Sequence, residues 1–214
     1  MDLPQRLGRA LKLHKKMGPI QSLHVFDFDG TLVRTPGPEE GKRRYLLETG
    51  RAWTGGWWGR PGSLRPPVVE SPFPSSRVVR TVFEQMEEVM TRSQTAVGVV
   101  VTGRIQPVRE PVLRILDEIC IAAKNDTVPA GESFLDHNAV ITHPGGRRTT
   151  LQFKEDLFRQ LVTEGPLASC PLKELHIWED RKEHAEAFAT DLNDELFDLK
   201  SIRTTVHFVT PDTP

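Results

Sequence analysis

One short segment constrains the fold of this chain more than any other: a mainly apolar run at 23–26 that ends in Asp27-Phe28-Asp29-Gly30. In a β-strand, residues i and i+2 point to the same side, so this spacing brings two carboxylates together. Crowded carboxylates need a cation or a shared proton to offset their repulsion. An Asp-x-Asp pair alone also fits a surface turn, but the apolar flank and the glycine favour the carboxyl end of a buried strand. In open α/β sheets, ligands bind at such strand ends.

Length, charge and cysteine content narrow the class of protein. With 214 residues, the chain is predicted to form one main domain with a sizeable core. Its net charge of −1 gives no overall attraction to nucleic acid or acidic lipid. Two cysteines do not make a disulfide framework, and no apolar run reaches the roughly 18 residues of a membrane helix. These features predict an intracellular protein, cytoplasmic or mitochondrial, with no membrane contact.

The N-terminal residues 1–20 form a basic amphipathic segment in the sequence, and the main domain is predicted at 21–214. Leu3, Leu7 and Leu11 recur at helical spacing, and the segment contains several basic residues and a single acidic one. Three interpretations stay open: an organelle transit segment, a basic arm that binds RNA or a partner, and a first helix packed on the domain by its leucines.

Strand and helix patterns alternate along the rest of the chain, which predicts an α/β fold with a mainly parallel sheet flanked by helices. Strands are predicted at 23–26, 97–101, 174–178 and 204–209, with short candidates at 133–135 and 139–142. Helices are predicted at 77–91, 108–122, 152–164 and 182–199. Residues 33–76 are rich in Pro, Gly, Arg and Trp without a sustained period, which indicates an irregular insertion.

A second candidate site segment closes the apolar run at 97–101. Thr102-Gly103-Arg104 follows this run directly and precedes a predicted helix. A hydroxyl group and exposed backbone N–H groups at such a turn can bind a phosphate. The same three residues also fit an ordinary strand-to-helix turn, so this segment alone does not identify a site.

Two further segments supply charge at comparable places. Lys154 lies near the start of a predicted helix, where its ammonium group could neutralise phosphoryl oxygens, although a solvated lysine explains it equally well. Glu179 and Asp180 follow the apolar run at 175–178. Paired acids at a strand end suit Mg²⁺, which takes one or two carboxylates. Asp180 would also serve as the N-terminal cap of the following helix.

Together these segments form a series: an acid pair, a threonine, a lysine and a second acid pair, in that order. The series resembles the four-motif pattern of the haloacid dehalogenase (HAD) superfamily of phosphohydrolases. Local strings such as Gly55-Gly56-Trp57-Trp58 and Trp178-Glu179-Asp180-Arg181 are similar to the Swiss Army Knife RNA repair-like HAD family. The resemblance implies a Rossmann-like fold, Mg²⁺ dependence and an aspartyl-phosphate intermediate.

The resemblance also implies a role for each residue. Asp27 would be the nucleophile, and Asp29 would protonate the leaving oxygen and then activate water. Lys154 would offset the charge of the transition state. The implied substrate contacts are Thr102, Gly103, Arg104 and Lys154. The implied Mg²⁺ ligands are the carboxylates of Asp27, Glu179 and Asp180 and the backbone carbonyl of Asp29.

The insertions that carry substrate specificity in the HAD superfamily look small here, which predicts a chain with a minimal cap or none. An open site suits a bulky phosphorylated substrate, such as a nucleic-acid end or a phosphoprotein. Trp53, Trp57 and Trp58 lie among arginines and could stack bases, or could plug a long loop onto the sheet. We therefore carry two hypotheses: a HAD-type phosphohydrolase, and a structural component of an RNA–protein particle that contacts RNA through segment 1–20 and the Trp/Arg-rich loop.

Overall fold

The described residues of the protein, in a computed structural model, form five strands and six α-helices. The model describes residues 19–123, 128–164 and 167–210, so most of segment 1–20 lies outside the described residues. The strands are β1 Ser22–Phe26, β2 Ala96–Ile105, β3 Val140–His143, β4 Glu174–Glu179 and β5 Arg203–Phe208. The helices are α1 Pro38–Thr49, α2 Arg80–Thr91, α3 Arg109–Ala122, α4 Thr150–Thr163, α5 Lys182–Ala187 and α6 Asn193–Lys200.

The strands form one parallel sheet in the order β3-β2-β1-β4-β5. The chain winds from β1 outward to β3, and then crosses back so that β4 pairs with the other side of β1. The order therefore reverses between β1 and β4. The crevice at the carboxyl ends of these two strands is the place where such sheets bind ligands. The predicted α/β class and parallel sheet are confirmed.

Helices cover both faces of the sheet because the strand side chains alternate. On one face, Phe26 and Val100 pack with the apolar sides of α2 and α3. On the other, Val25 and Val99 pack with α4 and with the last helical run. Strands buried on both faces are nearly continuous in apolar residues, as the sequence of β2 shows. Among the described residues, no helix is long and apolar enough to span a membrane.

The segment 33–76 is more ordered than the sequence predicts. It contains α1, which starts with Pro38 and ends at Gly50, a glycine in the left-handed conformation (φ 67°). The helix was missed because Gly41 is its only buried residue, so it has no apolar period to detect. Trp57 is buried against Gly41, where an added Cβ would lie 2.0 Å from the indole ring. Trp57 therefore anchors this part of the insertion to the core of the domain, and the insertion forms no separate cap within the described residues.

Three other expectations were wrong in detail. No strand forms at 133–135; this segment is irregular. The strand β2 does not end at Thr102 but continues to Ile105. The predicted helix at 182–199 is a helical run, Lys182–Lys200, that contains a π-type segment at Phe188–Leu192 between α5 and α6. The remaining predicted helices and strands are confirmed within a few residues.

A row of stacked aromatic rings, three imidazoles and one indole, crosses β1, β4 and β5. The rings of His24 and His176 lie 4.5 Å apart, and those of Trp178 and His207 lie 4.2 Å apart. Nδ1 of His176 lies 3.2 Å from Nε2 of His207. Burial, together with the two neighbouring imidazoles, lowers the pKa of His24 from 6.5 to about 3. The folded protein therefore holds His24 neutral.

We expect the free energy of unfolding to fall on acidification from pH 6.5 towards 3, partly because of His24. In this window the unfolded chain binds a proton at His24 and the folded chain does not, so stability rises with pH. The contribution is at most about 1.4 kcal/mol per pH unit. Urea unfolding across this range should show that His24→Phe loses this part of the slope. A wild-type-minus-variant difference that does not change with pH would contradict the prediction.

Candidate active site

The loop after β1 brings the first carboxylate to the crevice between β1 and β4. The Asp27 amide N–H donates to the Trp178 carbonyl (3.1 Å), which ties the loop to the neighbouring strand. Gly30 has a φ of 79° and donates to the Val33 carbonyl. A Cβ on Gly30 would lie 2.1 Å from Oδ2 of Asp180. Glycine is therefore required both for the backbone conformation and for the close approach of the second acid pair.

Lys154 lies between the two acidic segments. Thr149 and Gln152 form a reciprocal capping box that starts α4, and Lys154 follows on the first turns. Its Nζ donates to Oδ1 of Asp27 (2.6 Å) and to Oε2 of Glu179 (2.5 Å). All three side chains are at least nine-tenths buried. The structure thus brings these three candidate site residues together through direct ion pairs.

Burial and repulsion perturb the acids around Lys154. Burial raises the pKa of Asp27, and the carboxylates of Glu179 and Asp180 add to this effect. Burial and the Glu179 carboxylate raise the pKa of Asp180 to about 6. For Lys154, burial opposes the charged form, but the facing carboxylates outweigh it and raise its pKa. The ammonium group of Lys154 therefore does not compensate all three carboxylates in their ionised forms.

The same acids can hold a divalent cation. Asp27, Glu179 and Asp180 each offer a carboxylate oxygen, and these atoms lie within 4.8 Å of one another. Oδ1 of Asp180 is buried and has no hydrogen-bond partner among the described residues. Hard oxygen donors with an excess of negative charge suit Mg²⁺. Glu179 is the least available of the three because its oxygens accept from Lys154 and from the Arg181 amide.

Asp29 is directed away from this cluster and paired with Arg104. Nε of Arg104 donates to Oδ2 of Asp29 (2.9 Å), and Nη2 donates to Oδ1 (2.8 Å). The Thr35 hydroxyl also donates to Oδ1. The remaining guanidinium nitrogen, Nη1, donates to the Ser63 hydroxyl (2.9 Å) and to the Trp58 carbonyl (3.4 Å). Arg104, predicted to contact substrate, is 1% exposed and donates to these acceptors, and its contact with substrate stays a prediction.

This pairing keeps Asp29 ionised. Burial alone would raise its pKa, but Arg104 and Thr35 outweigh burial and lower it. A carboxylate has about four lone-pair sites, and the three donors leave one of them open. In this arrangement Asp29 can accept a proton from water more readily than it can donate one.

Thr102 and Gly103 lie where β2 is irregular. The register passes from Thr102 opposite Thr142 to Ile105 opposite His143, so Gly103 and Arg104 are extra residues in the strand. Such a bulge redirects side chains, and here it directs Arg104 towards Asp29. The Thr102 hydroxyl is fully buried and accepts from the Arg104 amide (3.1 Å). Phosphate binding by Thr102 stays a prediction.

A cleft of about 430 Å³ opens beside this arrangement; Asp29 and Asp180 line it, and the buried Asp27, Lys154 and Glu179 do not. Its walls come from the β1 loop, the β2 bulge, the start of α4, the end of β4 and the insertion. Lining residues are Asp29, Gly30, Thr35, Trp58, Gly103, Arg104, Thr150, Asp180 and Arg181. The volume falls within the roughly 300–1,000 Å³ of small-molecule sites. The carboxyl ends of β1, β2 and β4 thus form one wall of an accessible pocket.

Comparison with known proteins shows the family of this chain. The model of HAD domain family 1 in Swiss Army Knife RNA repair proteins matches residues 42–214. The chain belongs to this family. Membership indicates a phosphohydrolase-type function.

One curated relative of this HAD domain is the uncharacterized protein YMR265C of Saccharomyces cerevisiae. The two are 27% identical over 175 residues, which covers 79% of this chain and 36% of the yeast protein. The chain thus corresponds to about a third of its relative. No solved structure matches the chain.

Sequence reasoning assigned no role to Thr35 and Ser63, and it gave Trp58 only as a residue that could stack bases or plug the loop onto the sheet. Thr35 and Ser63 fix the Asp29–Arg104 pair, and Trp58 lies over the guanidinium group (4.6 Å to the ring centre). All three come from the insertion at 33–76. No local period marks a residue that acts through a distant partner, so no sequence pattern predicts these contacts.

We expect Arg104→Lys to lower the free energy of unfolding of this HAD domain by about 2 kcal/mol. A lysine keeps the charge but cannot reproduce the fork that joins Asp29 to Ser63. Arg92→Lys is the matched control, since Arg92 pairs with Glu88 in solvent (61% and 52% exposed). Urea unfolding measures both; equal shifts for the two variants would contradict the assigned role of Arg104.

Proposed function

We propose that this HAD domain is a Mg²⁺-dependent phosphohydrolase that works through an aspartyl-phosphate intermediate. The observation that carries the proposal is the contact of one buried lysine with Asp27 and Glu179 at the carboxyl ends of β1 and β4. An ammonium group there orients the nucleophilic carboxylate and offsets charge on a transferring phosphoryl group.

In the first step, an oxygen of Asp27 attacks phosphorus, and the bond between phosphorus and the leaving oxygen breaks. In the second step, water attacks the same phosphorus, the bond to Asp27 breaks, and inorganic phosphate is released. Asp29 accepts the proton of the attacking water through its open lone-pair site. Protonation of the leaving oxygen by Asp29 requires that Arg104 and Thr35 first release its carboxylate and that the carboxylate then takes up a proton from water.

Asp180 and Asp27 would hold Mg²⁺, with Glu179 near them. When bound, Mg²⁺ would supply Lewis-acid polarisation of the phosphoryl group and would compensate the excess negative charge. Lys154 already donates to the nucleophile and to Glu179, whereas Oδ1 of Asp180 has no partner among the described residues. Asp180 is therefore the carboxylate most available to the ion. Arg181, at the cleft wall, adds positive charge for an incoming phosphate.

A terminal phosphate on a nucleic acid is the substrate class that we favour, with other bulky phosphorylated substrates as alternatives. The family description places related domains in RNA repair proteins. The cleft is open to solvent and is bordered by a half-exposed tryptophan, which suits a substrate that extends beyond the phosphate.

Phosphate release tests the proposal. The substrates are p-nitrophenyl phosphate, small phosphorylated metabolites, mononucleotides, and DNA and RNA oligonucleotides with a 3′- or 5′-phosphate, each with Mg²⁺ or with EDTA. We expect release that requires Mg²⁺. Silence across this panel, from folded protein that binds Mg²⁺, would contradict the proposal and favour a structural role in an RNA–protein particle.

A further inference from the structure

One loop of the insertion, residues 53–62, lines two cavities. Trp58 borders the cleft that contains the candidate active site. Trp53, Arg60 and Gly62 border a second cavity of about 350 Å³, with Tyr45 of α1 on its wall. Between the two, Trp57 is buried against Gly41 and anchors the loop. The same short segment therefore joins the active-site cleft to a second pocket.

In the first cavity, Trp58 presents an aromatic surface in a fixed orientation. The guanidinium carbon of Arg104 lies 4.6 Å from the centre of its ring, and the backbone carbonyl of Trp58 accepts from the same guanidinium group. Arg104 is itself held by Asp29 and Ser63. Trp58 nevertheless remains 46% exposed. A large aromatic ring held over a cation and left half in solvent is suited to stack on a planar ligand.

In the second cavity, the same two kinds of side chain recur. The ring of Trp53 packs edge-on against Tyr45, with 5.2 Å between the ring centres, and at a tilt against Trp57, with 4.9 Å between the centres. Its Nε1 donates to the Gly56 carbonyl. Its ring is therefore positioned rigidly. Arg60 is exposed on the wall of this cavity. An aromatic wall beside an exposed cation suits a ligand that carries both a planar ring and a phosphate group.

We propose that this loop binds two successive nucleotides of a single-stranded nucleic acid whose terminal phosphate enters the cleft. The terminal base stacks on Trp58, the next base enters the Tyr45–Trp53 cavity, and Arg60 contacts the phosphate that links them. This inference rests on the proposed function of the cleft, and it adds a second binding site outside the catalytic residues.

Two observations favour a nucleic acid over other phosphorylated substrates. A tryptophan of the loop borders each of the two cavities, and each cavity also has an arginine, the buried Arg104 of β2 at one and the exposed Arg60 of the loop at the other. Two neighbouring aromatic sites match a repeating substrate rather than a single metabolite. The net charge of −1 means that attraction to a polyanion must be local. Stacking on aromatic rings together with backbone contacts from arginine is how single strands are bound without dependence on base identity.

Binding of short oligonucleotides tests the inference separately from catalysis. Every variant carries Asp27→Asn to prevent turnover, and fluorescence anisotropy measures the Kd of a labelled 5′- or 3′-phosphorylated pentanucleotide and of the matching mononucleotide. We expect Trp58→Leu to weaken both ligands by about tenfold, and Trp58→Phe to weaken them less. Arg60→Gln should weaken the pentanucleotide more than the mononucleotide.

Arg203→Gln is the matched control. Arg203 is exposed and begins β5, so it lies at the edge of the sheet opposite the cleft, and its replacement should leave both Kd values unchanged. A pentanucleotide Kd unaffected by Trp58→Leu would overturn the inference, as would equal effects of Arg60→Gln and Arg203→Gln. Phosphate release is measured independently, so a chain that binds as expected without hydrolysis would contradict the proposed function and leave this binding site intact.

Discussion

Replacing Asp27 with asparagine will reduce phosphate release by about 10⁴-fold or more, as expected for loss of a nucleophile. Asparagine keeps the shape of the side chain but lacks the anionic oxygen that attacks phosphorus. The other two carboxylates of the cluster are held differently: both oxygens of Glu179 accept hydrogen bonds, from Lys154 and from the Arg181 amide, and Asp180 packs against Gly30. Initial rates with the best substrate of the panel measure the effect.

The same substitution should not destabilise the protein. Asp27 is one of three carboxylates whose oxygens lie within 4.8 Å, and burial raises its pKa. Removal of its charge relieves repulsion, while Lys154 retains its pair with Glu179. We therefore expect the free energy of unfolding without Mg²⁺ to be unchanged or higher. Functional sites commonly carry such a conflict between stability and activity.

Asp198→Asn is the matched control because Asp198 is an exposed residue of α6. It should change neither phosphate release nor unfolding. Full activity in Asp27→Asn would show that the nucleophile lies elsewhere. A lost activity that accompanies lost folding would leave the assignment of Asp27 without support, since the argument requires a folded, inactive variant.

The framework of the site could be predicted from sequence because its signals are local. The ends of β1 and β4 each show an apolar run followed by acids, and a parallel sheet brings strand ends to one edge. Lys154 follows a capping box formed by Thr149 and Gln152, a four-residue pattern that marks the start of a helix. Each of these inferences depends on neighbours in the chain, and the structure confirms the strands and the helix.

The environment of Asp29 could not be predicted for the opposite reason. Its partner, Arg104, lies 75 residues away, and only the bulge at Gly103 and Arg104 directs that side chain inward. A bulge has no periodic signature in a strand of valines. The helix α1 was missed because Leu46 and Leu47 are exposed, so its apolar residues mark no buried face. Tertiary contacts, rather than local preference, decide both features.

Replacing Lys154 with methionine will lower the free energy of unfolding by about 3–5 kcal/mol in the absence of a divalent cation. Methionine preserves most of the apolar stem but leaves Asp27 and Glu179 without their shared ammonium group. Both carboxylates are almost fully buried, so water cannot replace the lost cation. Urea unfolding in EDTA measures the loss.

Three comparisons show whether charge is the cause. Lys182→Met removes a lysine whose pair with Glu186 is exposed (75% and 66%), and it should change stability by less than about 0.5 kcal/mol. Adding Glu179→Gln to Lys154→Met should recover part of the loss, because neighbouring charges are not additive. Mg²⁺ should also restore stability to Lys154→Met if it binds the same carboxylates. A loss in Lys154→Met that neither Mg²⁺ nor Glu179→Gln reduces would point to packing of the stem rather than to the compensation of buried acids, and would remove the electrostatic basis of the proposed site.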